Sequence, residues 1–301
     1  MTKIGVSFEN VSAEEVISNY KFYASQLLDK KIISFRGIEL DKYSHHDLLH
    51  FLGNGGPSAE EAKRSKHLDS NLETIDAMGG GDSDDFVSSI HGRGHVISKR
   101  RHVNLENQFL EPSNAKEFFE WSIHVDTPLN GPMSENKSIQ AYTSMYMNKF
   151  DYAEGIGNTY FLSMIEMFEK CPHQIIEKLY SAEVDELRKS GDGRDESKLN
   201  TWPALHKHPV TGEPIFFYPT WSSIVACSDE ITHDISLEIQ DWVHNYFLDK
   251  ENWYTWSWRK DDFIMWDNRS LVHRFEGGWS SEKRIFSQGG LPGLPPQLLS
   301  I

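Results

Sequence analysis

Two imidazoles and one carboxylate in this chain have the types and spacing to hold a transition metal. His124 and Asp126 stand in Trp121-Ser122-Ile123-His124-Val125-Asp126, and His273 follows Trp266-Asp267-Asn268-Arg269-Ser270-Leu271-Val272. A two-histidine, one-carboxylate set occupies one face of a metal and leaves the opposite positions open, the ligand arrangement of non-heme iron(II) chemistry. Arg284, eleven residues after His273, adds a fixed, fork-shaped cation suited to a carboxylate.

A His-x-Asp pair alone is weak. The chain has three such pairs, at His45-His46-Asp47, His67-Leu68-Asp69 and His124-Val125-Asp126, among 14 histidines and 45 acidic residues. Strand phase separates them. From Glu120 to Asp126 the side chains alternate, with Trp121, Ile123 and Val125 on one side and Ser122, His124 and Asp126 on the other. His45-x-Asp47 falls in an expected helix, and the His67 pair in a polar stretch.

The surrounding elements follow from pattern. Ser12-Ala13-Glu14-Glu15 is a capping box, and Val16, Tyr20, Tyr23 and Leu27 carry one helix forward. Lys31 to Gly37 is a short strand, and Ser44 is the expected cap of a second helix through Leu52. Gly53 to Asp85, opened by Gly55-Gly56-Pro57 and closed by Gly79-Gly80-Gly81, is expected to be a loop or lid excursion. Thr232 to Leu248 is helical. Trp253 to Trp258 and Phe263 to Trp266 are expected to be a strand, a turn at Arg259 to Asp262, and a returning strand. Gly289 to Pro296 is expected to end in a coil.

Composition bounds the rest. With 301 residues and 38% hydrophobic content, the chain suits a single domain spanning 1–301. The net charge of -15 argues against nucleic acid and against anionic membranes as partners. Two cysteines, Cys171 and Cys227, are too few for a disulfide framework. No apolar h-region stands at the start and no run is long enough to span a membrane, so the expected location is cytoplasmic.

Several ordered segments together resemble the taurine dioxygenase/clavaminate synthase-like family of iron(II)- and 2-oxoglutarate-dependent oxygenases. They are Phe35-Arg36-Gly37, His124-x-Asp126, Gly157-Asn158-Thr159-Tyr160-Phe161, His208-Pro209-Val210-Thr211-Gly212, Trp266-Asp267-Asn268-Arg269 with His273, and Arg284. The resemblance implies a mainly β fold with flanking α-helices, built on a double-stranded β-helix (jelly roll) core. It implies Fe(II) held by His124, Asp126 and His273, with 2-oxoglutarate held by Thr159 and Arg284, and O2 as co-substrate. 2-Oxoglutarate then leaves as succinate and CO2 while a small organic substrate is hydroxylated, desaturated or epoxidised. Related halogenases lack the carboxylate ligand, so Asp126 argues against halogenation. Asn268 and Arg269 are expected to brace the turn before His273 from the second shell.

One departure bears on substrate. Members acting on sulfonates or aryloxy acids carry a second arginine four residues after the first, where this chain has Gln288. Strand alternation puts Arg284, Phe286 and Gln288 on one face, and an amide cannot pair an anion as guanidinium does. Gln288 and Phe286 are therefore substrate candidates, with Arg93 and Arg101 of the basic stretches upstream as alternative cations. Tyr142, Tyr146 and Trp221 are further aromatic candidates. An amino-acid-derived natural-product intermediate is the expected substrate, and a homo-oligomer is compatible with the reading. The alternatives are a non-catalytic jelly-roll protein that senses 2-oxoglutarate, or a zinc hydrolase on the same ligands. Neither needs Thr159 and Arg284 at these spacings.

Overall fold

The computed structural model describes residues 3–56, 75–76, 98–101, 123–126, 139–186, 200–221, 223–276 and 283–299. In chain order the elements are β1 (Val6–Glu9), α1 (Ala13–Ser18), α2 (Tyr20–Lys30), β2 (Ile32–Arg36), α3 (Lys42–Asn54), β3 (Ile75–Asp76), β4 (Ser98–Arg101), β5 (Ile139–Phe150) and β6 (Thr159–Ser163). There follow α4 (Met164–Lys170), α5 (His173–Leu179), β7 (Glu183–Glu186), β8 (Asn200–Pro203), β9 (Leu205–Lys207), β10 (Pro214–Phe216), β11 (Ser223–Val225) and α6 (His233–Leu248). The chain closes with β12 (Trp253–Trp256), β13 (Phe263–Asp267), β14 (Leu271–Phe275), β15 (Arg284–Gly293) and β16 (Gln297–Leu298).

Two sheets face each other. The major sheet has the order β1-β2-β13-β5-β15-β4-β3, and the opposing sheet has the order β12-β6-β14. Side-chain alternation sorts the major sheet's residues into two cores. Ile33, Phe35, Tyr142, Tyr146, Phe263 and Met265 point outward and pack with Val16, Leu27, Leu48 and Leu52 of the first three helices. Ile32, Met145, Met147, Ile264, Trp266 and Phe286 point inward and meet Phe161, Trp256 and Leu271 between the sheets. A third cluster backs the smaller sheet, where Leu162, Val272 and Trp253 pack with Met167, Val243 and Phe247 of α4 and α6. The result is the double-stranded β-helix with flanking helices. β13 is buried on both faces, which explains its unbroken apolar run.

The local expectations meet three corrections. Ser12 caps its helix, accepting from Glu15 N at 3.2 Å, but the helix breaks at Asn19 into α1 and α2. The second helix is capped by Asp41. Ser44 N donates to Asp41 Oδ1 at 2.8 Å and Asp41 N donates to Ser44 Oγ at 3.0 Å, so Ser44 is the third residue of a reciprocal box. That helix also runs to Asn54, past the expected start of the excursion. Of the stretch 53–85, only 53–56 and Ile75–Asp76 are described, the latter pairing in parallel with β4. The lid expectation and the His67 pair otherwise lie outside the described residues.

The second correction concerns Trp253 to Trp266. These strands do not form a hairpin. β12 pairs with β6, while β13 pairs with β2 and β5 in the other sheet. Residues 257–262 cross between sheets, and Arg36 of the Phe-Arg-Gly strand ties the crossing down. Its Nη1 donates to Ser257 O at 2.7 Å and to Asp262 Oδ2, and its guanidinium lies 3.6 Å from the Trp256 ring centroid. The third correction is the C-terminal glycine segment. Gly289 to Gly293 is not coil but the far half of β15, paired with β5 through Ile139. A register shift between Leu291 and Pro292 accommodates the proline. The glycines permit close approach: a Cβ on Gly293 would stand 2.7 Å from the Ala141 Cβ.

A buried polar cluster locks the turn between β13 and β14. Arg269 Nε donates to Asp267 Oδ1 at 2.8 Å and Nη2 donates to Oδ2 at 2.5 Å. His208 Nδ1 accepts from Thr211 N at 3.1 Å, so Nε2 carries the proton and donates to Asp267 Oδ2 at 3.0 Å. Burial alone would raise the Asp267 carboxyl, but Arg269 and His208 hold it well below the usual carboxylate range. The His-Pro-x-Thr-Gly turn and the Trp-Asp-Asn-Arg turn are thus one unit.

Two outcomes test these contacts. Gly293→Ala forces a methyl against a strand neighbour with no flexible end to yield, and should lose about 1–3 kcal/mol in urea unfolding. Unchanged stability would show that β15 is not seated on β5 there. The second outcome concerns acid. Burial lowers the His206 pKa to about 4, and burial, with His46, lowers that of His45 to about 3. The unfolded chain binds these protons near pH 6.5 and the folded chain does not, so stability falls as pH drops from about 6.5 to 4. The thermal midpoint measured against pH should show this limb, and His206→Leu should flatten it. An identical limb in the variant would remove His206 as a cause.

Candidate metal and co-substrate site

The site forms where one short segment joins the smaller sheet. His124 N donates to His273 O at 3.0 Å, and His273 N donates to His124 O at 2.9 Å. This reciprocal antiparallel bridge sets the two residues directly opposite, with ring centroids 4.3 Å apart. Two residues on, Asp126 returns to the same side, while Ile123 and Val125 are buried on the other. His124 Nε2 lies 3.4 Å and His273 Nε2 3.6 Å from Asp126 Oδ1. One ligand atom from each residue falls within a 4.8 Å group, and no other trio of metal-binding side chains does so among the described residues. The donor set suits iron(II).

The electrostatics suit a cation. Burial would raise the Asp126 carboxyl, yet the facing imidazoles of His273 and His124 hold it well below the usual range, so it stays ionised. Burial lowers His273 to about 3, against the pull of Asp126, so it presents a neutral imidazole. His273 Nδ1 has no hydrogen-bond partner among the described residues. Its ring is oriented by packing instead, stacked on Phe161 at 5.9 Å and edge-on to Trp266 at 5.1 Å.

Thr159 opens β6 opposite Phe275, on the same inward phase as Phe161 and His273. Its Oγ1 accepts from Trp258 Nε1 at 2.9 Å. Arg284 lies over that indole, its guanidinium 5.9 Å from the ring centroid. Arg284 is 1% exposed, and burial lowers its pKa to about 9. A cation so desolvated gains most from an anion brought beside it. Trp258 was not singled out from sequence; its alternation with Trp256 was the available signal.

Along β15, Phe286 is buried in the intersheet core, and Gln288 Nε2 stands 3.5 Å from Asp126 Oδ2. Arg284, Phe286 and Gln288 therefore do share the inner face. The remaining substrate candidates divide. Arg93 lies outside the described residues. In backbone register Arg101 pairs with Ile285 and Arg100 with Phe286. Tyr142 and Tyr146 belong to the helix-facing core and Trp221 to the cluster behind the smaller sheet, so none of these three lines the interior. Arg269 braces its turn through Asp267. Asn268 faces the interior and donates to Thr143 Oγ1 at 2.7 Å.

Comparison with known proteins agrees with this geometry. No curated protein matches the chain. Among solved structures, a taurine dioxygenase from Burkholderia xenovorans superposes with a TM-score of 0.64 at 14% identity, covering 98% of this chain and 89% of the other. AAD-2, solved in complex with Mn(II) and N-oxalylglycine, superposes with a TM-score of 0.63 at 10% identity, covering 99% and 96%. These likenesses show the shared fold. The sequence model for the taurine catabolism dioxygenase TauD, TfdA family matches residues 3–288. The chain belongs to that family and is an Fe(II)- and 2-oxoglutarate-dependent dioxygenase acting on a small molecule.

Proposed function

We propose that His124, Asp126 and His273 hold the iron, that Thr159 and Arg284 hold 2-oxoglutarate, and that the substrate is a small neutral or zwitterionic organic molecule. An amino-acid-derived natural-product intermediate fits this description, oxidised by hydroxylation, desaturation or epoxidation. The observation that carries the reading is the convergence of the three ligand atoms within 4.8 Å on the smaller sheet, with Arg284 buried on the facing sheet beside the intersheet core.

Bound iron would supply the oxidising chemistry: one atom of O2 would leave in succinate as 2-oxoglutarate loses CO2, and the other would go to the substrate or, in desaturation, to water. The chain's own groups do the rest. Two neutral imidazoles and one ionised carboxylate leave a single positive charge on a divalent ion, which attracts a second, dianionic ligand. Arg284 pairs one carboxylate of that ligand in a desolvated setting, where a charge-assisted bidentate contact is strongest. Thr159, its hydroxyl oxygen occupied by Trp258, has its own proton free to donate to the same group. The apolar wall of Phe161, Trp266 and Phe286 excludes water from the interior. Gln288 in place of a cation argues against sulfonate and aryloxy-acid substrates.

The test is anaerobic protein given ferrous iron and 2-oxoglutarate, then oxygen. A metal-to-2-oxoglutarate charge-transfer band should form, and succinate should appear after oxygen. His124→Ala should abolish the band. Arg284→Ala should weaken 2-oxoglutarate about 10- to 100-fold, the loss of one charge-assisted pair. Neither band nor succinate across candidate substrates would end this assignment, and unchanged affinity in Arg284→Ala would remove the anchor.

A further inference from the structure

Trp258 is fully buried and lies where the chain crosses between the sheets, after β12 of the smaller and before β13 of the larger. The backbone on either side of it is pinned. Ser257 O accepts from Arg36 Nη1 at 2.7 Å. Arg259 N donates at 2.8 Å to Asp262 Oδ2, the same carboxylate that Arg36 pairs. The indole itself packs edge-on to Trp256, with ring centroids 6.0 Å apart. An indole held at its neighbours and at its ring is a rigid place from which to direct a hydrogen bond.

This one ring lies against both candidate anchors for 2-oxoglutarate. Thr159 stands on the smaller sheet and Arg284 on the larger. An indole N–H can only donate, and Trp258 Nε1 donates to Thr159 Oγ1 at 2.9 Å. Its ring face, the negative side of the aromatic quadrupole, has the Arg284 guanidinium 5.9 Å from its centroid. The N–H therefore settles which role the threonine oxygen plays. With one lone pair filled by the indole, the hydroxyl has its single proton to give, and among the described residues that proton has no acceptor although Thr159 is buried. A buried donor without an acceptor is costly, so this one points to a ligand. A hydroxyl that already accepts is also the better donor, because linked hydrogen bonds polarise one another.

We propose that Trp258 is a positioning residue for 2-oxoglutarate: its N–H commits the Thr159 hydroxyl to donating, toward the same carboxylate that Arg284 pairs from the opposite sheet. The proposal rests on the co-substrate reading above and assigns Trp258 no contact of its own with the ligand. On this account the crossing at residues 257–262, with Arg36 beneath it, serves the co-substrate as well as the fold.

The test is a double-mutant cycle on 2-oxoglutarate affinity, read from the charge-transfer band of the full-length, Fe(II)-loaded protein without oxygen. Trp258→Phe, which keeps an aromatic ring and loses the N–H, should weaken binding about 2- to 10-fold, the net effect of one hydrogen bond. In a Thr159→Val background the same substitution should cost nothing further, since the N–H then has no hydroxyl to orient. A ring needed only for packing would weaken binding by the same factor in both backgrounds. Trp258→benzothienylalanine, whose sulfur replaces the N–H in a ring of the same shape, should match Trp258→Phe; it decides the matter if the phenylalanine variant does not fold. Equal losses in the two backgrounds, or wild-type affinity in a folded variant at position 258, would overturn the Trp258 assignment alone. Wild-type affinity in Thr159→Val, or no band in the wild type, would overturn the co-substrate reading and this proposal together.

Discussion

The site depends on one pair of backbone hydrogen bonds. The exchange between His124 and His273 joins a segment far away in sequence to β14, and it does so in the register that opposes the two imidazoles. Because strand side chains repeat every two residues, Asp126 then returns to the same face. A slip of one residue would turn His124 and Asp126 toward the cluster behind the sheet and bring Ile123 and Val125 into the interior. The burial of Ile123 and Val125 beside Leu162 and Val272 opposes that slip, so packing on one face fixes chemistry on the other.

The turn before His273 is held with equal care. Asp267 accepts from Arg269 and His208 in a fully buried cluster, and Asp267 N donates to Lys31 O at 3.0 Å. Removing one partner would leave an uncompensated buried charge, which makes the cluster an all-or-none clamp. It ties the end of α2, the β9–β10 turn and the start of β14 together. The position of His273 is therefore set by elements from three distant parts of the sequence.

Much of this was legible in the chain because short-range spacing encodes it. The alternation around His124 follows from strand pitch, and the inner face shared by Arg284, Phe286 and Gln288 is kept despite a register shift between Ile285 and Ser287. What was not legible depends on partners. Arg259 to Asp262 has the composition of a hairpin turn, but Arg36 and the two sheets make it a crossing. Gly289 to Gly293 has the composition of coil, yet close approach to Gln140 and Ala141 makes glycine a requirement of pairing. Tyr142 and Tyr146 could line a pocket or fill the core on sequence alone, and the outward phase of β5 puts them in the core under α3.

The two halves of the site belong to different sheets. His273 and Thr159 stand on the smaller sheet, and Arg284 and Gln288 on the larger. Among the described residues the two sheets meet largely through apolar contacts, which have no direction. An iron and a 2-oxoglutarate held as proposed would add directional stitches across the gap. By mass action, each raises the free energy of unfolding as its concentration passes its dissociation constant. The thermal endurance of the fold would then become a readout of how much co-substrate surrounds the protein.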